Sequence, residues 1–434
     1  MMNVKISGAG EEICEKDYSI LFFDSPFAQT TDKVNNQEEL SKQKIYSARL
    51  SRHRIAAPIL RMRVRYEQLP NSKGNQNGSS LKAAVAALLL FVIVSTSFVL
   101  YQDAQNMRNA PRSTPIIVAW TKFFSANLKD SLLPSLRNCN YRCDFVDRKE
   151  LKILNKSAAA YILHGRDMRL TDLPKQSADH LNVLFLLESP FHTGSEMYRV
   201  PRDYFNATMT YRLDSNYFYP YGHFQPRTPN DTVGIITNEE IVAAVRRKKK
   251  GSLIFVSNCH TPSKREKTIR QLGKLTEITV RGRCENELSV DNKTKSISCK
   301  TDCSDDALIA THRFYISFEN SNCNDYITEK YFNRISELLV PVVMKRRIYE
   351  AAGLPKHSFI AVDDFNSLED LGIYLNFLRK NDTEYLRYFE WTKHFRKPNT
   401  YVSNALCKLC EDIYKGKKLR VNNIRDYYEK NQCF

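Results

Sequence analysis

The side chains best suited to chemistry come directly after short apolar runs. Glu188 ends the run LNVLFLLESP, and Glu329 and Lys330 follow the polar loop after HRFYISFEN. A carboxylate beside apolar residues has its pKa raised by desolvation, which suits a general base working near neutral pH. A lysine in the first turn of a helix can hold phosphate. Each of these residue types is also common in purely structural roles, so the types alone leave that alternative open.

Alternating apolar and amphipathic stretches predict the elements that position these residues. The runs typical of buried parallel strands are 115–120, 159–165, 180–190, 251–259, 277–284, 312–320, 340–344 and 359–365. Helices are predicted within 232–250, whose RRKKK end should be solvated, over 261–275, and over 325–339, beginning near Asp325 as its N-cap. Strands that alternate with helices predict two doubly wound units, which bind ligands at the carboxyl ends of their strands.

A membrane span is predicted before the first strand. The stretch Ala83–Tyr101 (AAVAALLLFVIVSTSFVLY) contains no charge, and as a helix it would reach about 28 Å, close to the hydrocarbon thickness of a bilayer. Between Lys42 and Lys82 there are ten Lys or Arg against one acid, Glu67. The positive-inside rule therefore places the N-terminus in the cytosol, as in a type II signal-anchor. Met62 is an alternative start.

Charge and cysteine content bear on the class of ligand and the compartment. The net charge of +17 and pI of about 9.3 suit a nucleic-acid binder, a membrane-surface protein or an enzyme with a polyanionic substrate. Residues 102–434 carry 52 Lys and Arg against 39 Asp and Glu, and in a lumenal domain this favours an acidic ligand such as a nucleotide sugar. Ten of the 11 cysteines follow the span, as expected where disulfides form. The glycosylation sequons after the span are at Asn155, Asn206, Asn230, Asn292 and Asn381.

The loop after HRFYISFEN carries the most informative motif. FEN (318–320), followed by DYITEK (325–330) and a hydrophobic strand, closely resembles the signature of the α1,3/α1,4-fucosyltransferases, which are type II Golgi enzymes that use GDP-fucose. The other matching pieces, in the family's order, are LESP (187–190), FNATMTYRLDSNYFYPYG (205–222), FVSNC (255–259), VRGRC (280–284) and Cys407-x-x-Cys410. The pieces NSNCNDYITEK and FIAVDDFNSLEDLGIYLNFL look most like invertebrate members.

The resemblance implies a GT-B glycosyltransferase fold, an α/β architecture in which two Rossmann-like doubly wound domains face a cleft. It also implies a single-pass type II protein of the Golgi membrane with a lumenal catalytic domain. The expected organisation is a cytosolic tail (1–82), a transmembrane signal-anchor (83–101), a stem (102–114), an N-terminal acceptor-side domain (115–231), a C-terminal GDP-fucose-binding domain (232–395) and a C-terminal helical, disulfide-bonded segment (396–434).

The family's reaction assigns expected roles to individual residues. It transfers L-fucose with inversion from GDP-β-L-fucose to the 3-OH of N-acetylglucosamine in glycoprotein or glycolipid glycans, with Glu188 expected as the base. The donor-binding residues implied by the resemblance are Arg265, Asn320, Tyr326, Glu329, Lys330, Tyr211 and Arg212. The acceptor-side residues are His164, Arg166 and Asp167, where Gly165 replaces the second His of the family's pair and leaves the acceptor preference open.

The source of charge for the leaving diphosphate is expected to be the protein itself. The chain has no Asp-x-Asp pair, since Asp305-Asp306 and Asp363-Asp364 are adjacent. The prediction is therefore that Arg265 and Lys330 supply the positive charge, that no cofactor is required, and that a divalent cation can at most stimulate by aiding product release.

Several alternatives stay open from the sequence. Cys407-x-x-Cys410 could be half a zinc site or a redox pair, whereas in the resembling family it carries structural disulfides. The chain could be a catalytically inactive lectin-like or scaffold homologue in the Golgi, or a signal-anchored receptor, although Glu188, Arg265, Glu329 and Lys330 are all present. The acceptor, either the core N-glycan GlcNAc or antennal LacNAc or LacdiNAc, is left undecided, as are disulfide pairing and oligomeric state.

Overall fold

The computed structural model describes residues 78–108, 113–136, 138–288, 294–296, 304–401 and 403–434. Contacts divide the chain into two units, Met1–Ala104 and Gln105–Phe434. The predictions for most of the cytosolic tail, part of the stem, Asn292, Cys299 and Cys303 lie outside the described residues.

The predicted membrane span coincides with one long helix, α1, Gly78–Arg108. Within it, Val85–Gln102 has a mean hydropathy of 2.1, and none of this window is buried. A long apolar helix of a soluble core would bury most of its side chains. Among the described residues this is the one helix long and apolar enough to cross a membrane.

Two six-stranded parallel sheets form the framework of the second unit. The strands are β1 Ile116–Ala119, β2 Lys122–Phe123, β3 Ala126–Asn127, β4 Asp144–Asp147, β5 Ala160–His164, β6 Leu181–Leu186, β7 Ala207–Thr210, β8 Tyr217–Phe218, β9 Gly222–His223, β10 Lys250–Phe255, β11 Ile278–Arg281, β12 Thr294–Ser296, β13 His312–Ile316, β14 Val340–Val343, β15 Ile360–Ala361 and β16 Asn399–Thr400. The first sheet has the order β4-β1-β5-β6-β7-β8, and the second has the order β12-β11-β10-β13-β14-β15. The parallel α/β class predicted from the apolar runs is confirmed.

Helices connect the strands and complete the second unit. They are α2 Leu128–Leu132, α3 Arg148–Leu154, α4 Asn238–Arg247, α5 Arg265–Gly273, α6 Glu285–Leu288, α7 Asp305–Thr311, α8 Glu329–Ser336, α9 Arg346–Ala351, α10 Leu368–Lys380, α11 Asp382–Leu386, α12 Ala405–Tyr414 and α13 Ile424–Glu429. Near-continuous apolar strands such as β6 and β13 are buried on both faces, as parallel sheets require.

The N-cap predicted for helix α8 is wrong by three residues. Thr328, not Asp325, is the N-cap, and its hydroxyl accepts the N–H of Lys330. Asp325 has a positive φ of 61° and lies in the preceding turn. Its carboxylate accepts the N–H of Leu213 at 3.1 Å. Asp325 therefore contacts the part of the chain that forms the first sheet and does not cap its own helix.

The prediction of a solvated RRKKK helix end is also wrong in part. Lys248 is only 2% exposed, and its Nζ donates to the carbonyl oxygen of Ile309 at 2.6 Å. Burial lowers the pKa of Lys248 to about 7, against the partly opposing charge of Glu337. The apolar stem of the lysine is covered because α4 ends where the chain enters the sheet at β10.

Replacing Lys248 with Met should stabilise the fold in a pH-dependent way. The pKa of Lys248 is lower in the folded state than in the unfolded chain, so the cost of its buried charge is fullest below pH 7 and disappears as pH rises towards the unfolded value. We expect the melting temperature to rise by about 5 °C at pH 6, with a smaller gain at pH 9. Thermal unfolding at both pH values checks this, with the exposed Lys250→Met as control. An equal gain at both pH values would contradict it.

Disulfides tie the 405–434 region to both sheets. Cys407 pairs with Cys139, and Cys410 pairs with Cys143. The remaining described pairs are Cys259–Cys284 and Cys323–Cys433. The Cys407-x-x-Cys410 motif therefore contributes two structural disulfides to the region beside β1 and β4, and neither a zinc site nor a redox pair. The pairing, left open by the sequence, requires the folded positions of residues more than 260 apart.

The described sequons differ in exposure. Asn155 and Asn230 are exposed. Asn206 is partly buried, and its Oδ1 accepts the N–H of Asn182 at 2.7 Å. Asn381 is partly buried too and caps α11 through a hydrogen bond from the N–H of Glu384. Glycosylation of these asparagines stays a prediction.

Candidate active site

The candidate base lies just beyond the end of a central strand. Strand β6 ends at Leu186, and Glu188 follows it in a partly buried loop. The hydroxyl of Tyr221 donates to the Leu187 carbonyl at 2.8 Å, and the hydroxyl of Tyr428 donates to the Glu188 carbonyl. Burial raises the pKa of the Glu188 carboxyl. The raised pKa is the property that a base near neutral pH needs.

The predicted donor lysine lies in a network of carboxylates at the start of α8. Lys330 Nζ is 2.9 Å from Glu329 Oε1, 3.3 Å from Glu319 Oε2 and 3.0 Å from Thr328 Oγ1. Burial would lower the pKa of Lys330, but Glu319 and Glu329 outweigh it and raise the pKa above its usual value. The ammonium group is therefore charged at every physiological pH and held at the helix N-terminus.

Glu319 is the residue of this network that the site prediction omitted. It is 5% exposed, and its carboxylate accepts the N–H of Thr328 at 2.8 Å and the hydroxyl of Thr328 at 3.0 Å. Burial raises the pKa of its carboxyl, while Lys330 opposes that rise. Its position in the FEN motif was the available signal. Its contacts show that it orients the N-cap and the lysine.

Arg265 and Asn320 present unsatisfied polar atoms beside this network. Arg265 is 4% exposed, and its Nη1 and Nη2 donate to the carbonyls of Phe318 at 2.8 Å and Asn258 at 3.2 Å. Within the described residues, Arg265 Nε and Asn320 Oδ1 are buried without a hydrogen-bond partner. Buried polar atoms are nearly always paired, so these two atoms are available for a hydrogen bond with a ligand or a water molecule.

The loop 187–189, called the base loop, and the network of Glu319, Glu329 and Lys330, called the donor network, share one electrostatic environment. After burial, the charges that act on the pKa of Glu188 are, in order, those of Arg166, Lys330, Glu329 and Glu319. Arg166 follows β5 in the first sheet, and the other three lie beyond β13 in the second sheet. The carboxyl ends of the two sheets therefore face a common region that holds Glu188 and Glu319, two carboxylates of raised pKa, together with the cations Arg166 and Lys330.

Beside this region, aromatic packing joins the part of the chain that forms the first sheet (the first half) to the part that forms the second sheet (the second half). The rings of Tyr211 and Tyr326 lie 5.0 Å apart, and both residues are buried. On the first half, a Cβ added to Gly222 would lie 2.4 Å from the Phe332 ring of α8, so only glycine permits this close approach. The structure brings Tyr211 and Tyr326 together as a packed interface, with little of either side chain accessible to a ligand.

Arg212 is placed differently from the other predicted donor residues. Its Nε and Nη2 donate to the carboxylate of Asp214, at 2.9 and 2.6 Å, and its Nη1 donates to the carbonyl of Tyr427. The guanidinium also lies 4.0 Å from the Tyr427 ring centroid. These contacts show a role in attaching α13 to the first sheet, and a donor contact by Arg212 stays a prediction.

The predicted acceptor residues form a loop of which only part is accessible. His164 is fully buried among Phe123, Phe124 and Phe185, and its Nδ1 is 2.5 Å from Asp167 Oδ2. Burial lowers the pKa of His164, although Asp167 opposes this. Asp167 also accepts the N–H of Phe124 at 2.6 Å. The His164–Asp167 pair therefore holds the loop in shape, which leaves the exposed Arg166 as its accessible group.

Gly165 has a packing reason for the absence of a side chain. A Cβ there would come within 3.2 Å of Leu184 Cδ1 and Leu186 Cδ2. A second histidine at this position would have to displace the apolar core under β6.

His192 lies near the same cations and was not predicted. It ends the short 3-10 turn Pro190–His192, and its Nδ1 is 3.1 Å from Ser189 Oγ. Ser189 Oγ is 2.8 Å from Ser321 Oγ. Ser321 lies in the loop between β13 and α8, called the donor loop. Burial lowers the pKa of His192, and Arg166 and Arg265 lower it further. The one available signal in the sequence was that His192 lies two residues beyond the LESP motif.

No group of three or more His, Cys, Asp or Glu that could hold a metal ion occurs among the described residues. The adjacent Asp363 and Asp364 both bind Arg346, through its backbone N–H and its guanidinium respectively. Whether the reaction needs a metal stays a prediction.

Comparison with known proteins identifies the family. Residues 112–222 match the model of the fucosyltransferase N-terminal domain, and residues 245–427 match that of glycosyltransferase family 10 (fucosyltransferase), C-terminal. The alpha-(1,3)-fucosyltransferase fut-1 of Caenorhabditis elegans is 30% identical over 308 residues, which cover 70% of this chain and 64% of that protein. The chain thus spans slightly less than two thirds of that relative.

Two further similarities extend the comparison. The 4-galactosyl-N-acetylglucosaminide 3-alpha-L-fucosyltransferase 9 of Mus musculus is 34% identical over 285 residues, which cover 64% of this chain and 72% of that protein. A crystal structure of an alpha1,3-fucosyltransferase with GDP is similar at 12% identity and a TM-score of 0.43, over 73% of this chain and 97% of that one. With both family models matched over most of residues 112–427, the chain belongs to the fucosyltransferases of glycosyltransferase family 10.

Proposed function

We propose that this fucosyltransferase transfers L-fucose from GDP-β-L-fucose to the 3-OH of N-acetylglucosamine in glycans, with inversion. The observation that carries the proposal is the shared environment of Glu188 and Lys330. Glu188, of raised pKa, lies in the loop after β6, and the adjacent Ser189 Oγ is 2.8 Å from Ser321 Oγ, in the loop that leads to the charged Lys330 of α8. Direct displacement needs a base on the acceptor side and a cation on the leaving-group side.

In the proposed mechanism, Glu188 accepts the proton of the acceptor hydroxyl as its oxygen attacks the anomeric carbon of fucose. The bond from that carbon to the β-phosphate oxygen breaks, and GDP leaves with the bonding electrons. Lys330 stabilises the departing diphosphate as a point charge, and Arg265 does so through its unpaired Nε. Attack on the face opposite the leaving group converts the β-linked donor into an α-linked product.

The rest of the donor site is proposed from the same loops. Glu329, partly exposed beside Lys330, would accept a hydrogen bond from a fucose hydroxyl. The unpaired Oδ1 of Asn320 is available for a second one. Tyr211 and Tyr326 are proposed to support the donor site by packing on each other. A donor contact by Arg212, whose guanidinium binds Asp214, stays a prediction.

The acceptor is proposed to bind at the carboxyl ends of β1, β4 and β5. A cavity of about 600 Å³ opens there, lined among others by Trp120, Arg148, Asp167 and Asp172. Aromatic and charged side chains of this kind suit an oligosaccharide, and Arg166 lies on the same loop as Asp167. The name of the mouse relative, a fucosyltransferase of galactosyl-N-acetylglucosaminides, supports this acceptor class.

The domain organisation and location follow the same proposal. The two parallel sheets support a GT-B arrangement, with an acceptor-side domain at 115–231 and a donor domain at 232–395, followed by the disulfide-bonded segment 396–434. The apolar helix supports a type II anchor over 83–101 that holds the catalytic part in the lumen of the Golgi. The disulfides of the second unit are consistent with that compartment.

Activity should survive removal of divalent cations. We expect turnover in EDTA to stay within about twofold of the untreated enzyme, because Lys330 and Arg265 supply the positive charge at the diphosphate. Initial rates with and without EDTA, and after addition of Mn²⁺, check this. A complete loss that only Mn²⁺ restores would show that the leaving group is stabilised by a metal.

A binding protein without turnover is the competing function. Incubation of the full chain in detergent with GDP-fucose and a glycan array, followed by mass spectrometry of the bound glycans, separates the two. Glycans that gain one fucose support an enzyme and identify its acceptor. Glycans retained without a mass increase support a lectin-like homologue.

A further inference from the structure

The segment 423–434 contacts both loops of the candidate site. It begins with Asn423, whose Oδ1 caps α13, and the Ile424 N–H donates to the Arg202 carbonyl at 2.8 Å. The Arg425 guanidinium donates to the Val200 carbonyl at 3.2 Å. These contacts attach the start of the segment to the first half of the unit, beyond the 3-10 turn that follows the base loop.

The middle of the segment reaches the base loop itself. Tyr428 is fully buried, and its hydroxyl donates to the backbone carbonyl of Glu188. Its ring lies 6.3 Å from that of Tyr211, which in turn packs on Tyr326. Glu188 is two residues beyond the last residue of β6, so the sheet ladder does not fix its peptide plane. The Tyr428 hydroxyl supplies a restraint at that carbonyl.

The end of the segment is joined to the donor loop. Cys433 forms a disulfide with Cys323, five residues before the N-cap of α8. The flanking backbone pairs as well, because Asn324 N–H donates to the Gln432 carbonyl at 2.7 Å and Phe434 N–H donates to the Asn322 carbonyl at 3.0 Å. Four residues separate Tyr428 from Cys433, so a short path links the two loops, with a hydrogen bond at the base loop and a disulfide at the donor loop.

We propose that the segment 423–434 positions the base relative to the donor, with Tyr428 as a positioning residue that acts through the backbone of Glu188. This inference rests on the proposed function, since it assigns the segment to the reaction carried by Glu188 and Lys330. A link between the loops matters because displacement is sensitive to small changes in the distance between base, acceptor oxygen and anomeric carbon. In the described contacts the segment touches neither Lys330 nor Arg265, so we expect its effect on donor affinity to be smaller than its effect on turnover.

The conservative variant Tyr428→Phe tests the inference, because it keeps the buried ring and removes only the hydroxyl. We expect kcat to fall about tenfold, while the KM for GDP-fucose and the calorimetric affinity for GDP stay unchanged. Tyr204→Phe is the matched control. Tyr204 is buried as Tyr428 is, and its hydroxyl donates to the Pro174 carbonyl at 2.7 Å and not to the base loop, so kcat should stay at the wild-type value.

A cycle with the disulfide completes the test on the full chain. Cys433→Ser should also lower kcat. The double variant Cys433→Ser, Tyr428→Phe should lower kcat by less than the product of the two single reductions, because both changes act on one path. Melting temperatures of all variants show whether folding is retained. A Tyr428→Phe enzyme with wild-type kcat, or one in which GDP affinity falls as much as kcat, overturns the inference. Absence of fucose transfer by the wild-type chain would instead count against the proposed function.

Discussion

The Glu188→Gln variant should lose roughly 10² or more in kcat while its affinity for GDP-fucose remains near that of the wild type. Glutamine keeps the size and hydrogen bonding of the side chain but cannot accept the proton of the acceptor hydroxyl. The substitution should change the affinity for GDP-fucose little, because the diphosphate is proposed to bind Lys330 and Arg265. Initial rates and calorimetric titration of GDP measure the two quantities separately. The exposed Glu369→Gln serves as the control for a surface change.

The pH profile gives the same prediction a second readout. Burial raises the pKa of Glu188, so the deprotonated form is lost at a higher pH than for an ordinary glutamate. The wild-type rate should therefore decline as pH falls through that raised pKa, and this acid limb should be absent in Glu188→Gln. A variant that loses GDP affinity instead of turnover, or that keeps the acid limb, would show that Glu188 is not the base.

Lys330→Ala should weaken donor binding and turnover together. The ammonium group is expected to contact the diphosphate both in the bound donor and in the transition state, so its removal raises the dissociation constant of GDP by at least tenfold and lowers kcat as well. Arg265→Ala should behave in the same way. GDP calorimetry and initial rates measure both effects, with the exposed Lys356→Ala as control.

Loss of Lys330 also leaves Glu319 buried without its cation, so the melting temperature is measured on the same preparation. A folded Lys330→Ala enzyme that binds GDP and turns over as the wild type does would contradict the role of the lysine. The Glu188→Gln and Lys330→Ala variants should thus differ in what they lose, because Glu188 is proposed to face the acceptor and Lys330 the leaving group.

The sequence predicted the sheets well where one residue pattern sufficed. Apolar runs such as LNVLFLLESP and HRFYISFEN correspond to β6 and β13, since parallel strands buried on both faces carry little besides apolar residues. Strand β7, Ala207–Thr210, was missed because its sequence, ATMT, contains two hydroxyl side chains. In the fold, Thr208 and Thr210 are buried and bind Asn216 and Ser215.

The positions that depended on long-range contacts could not be predicted. The sequence alone favoured Asp325 as the N-cap of α8. In the structure its carboxylate accepts the N–H of Leu213, more than one hundred residues earlier. The RRKKK run looked solvated, yet Lys248 is covered by residues from another element. Tyr428 likewise carries no motif, and only the folded path of the segment 423–434 brings it to Glu188.

Among the candidate site residues, those in the loops and helix starts that follow parallel strands were the most predictable. Lys330 acts on the pKa of Glu188, and Arg265 acts on that of Lys330, because the carboxyl ends of parallel strands meet at one edge of each sheet. His164 and Arg212 were predicted from the family resemblance, but in the structure their side chains bind Asp167 and Asp214. A side chain's partners, and not its type, decide whether it is available to a substrate.

Product analysis of the wild-type chain tests the central claim most directly. The full chain in detergent is incubated with GDP-β-L-fucose and an N-acetylglucosamine-terminated or galactosylated acceptor, and the product is examined by NMR for the position and anomeric configuration of the new bond. We expect fucose on O3 of N-acetylglucosamine in the α configuration, together with one GDP per fucose transferred. A β-linked product, transfer to another hydroxyl, or release of free fucose without transfer would contradict the account.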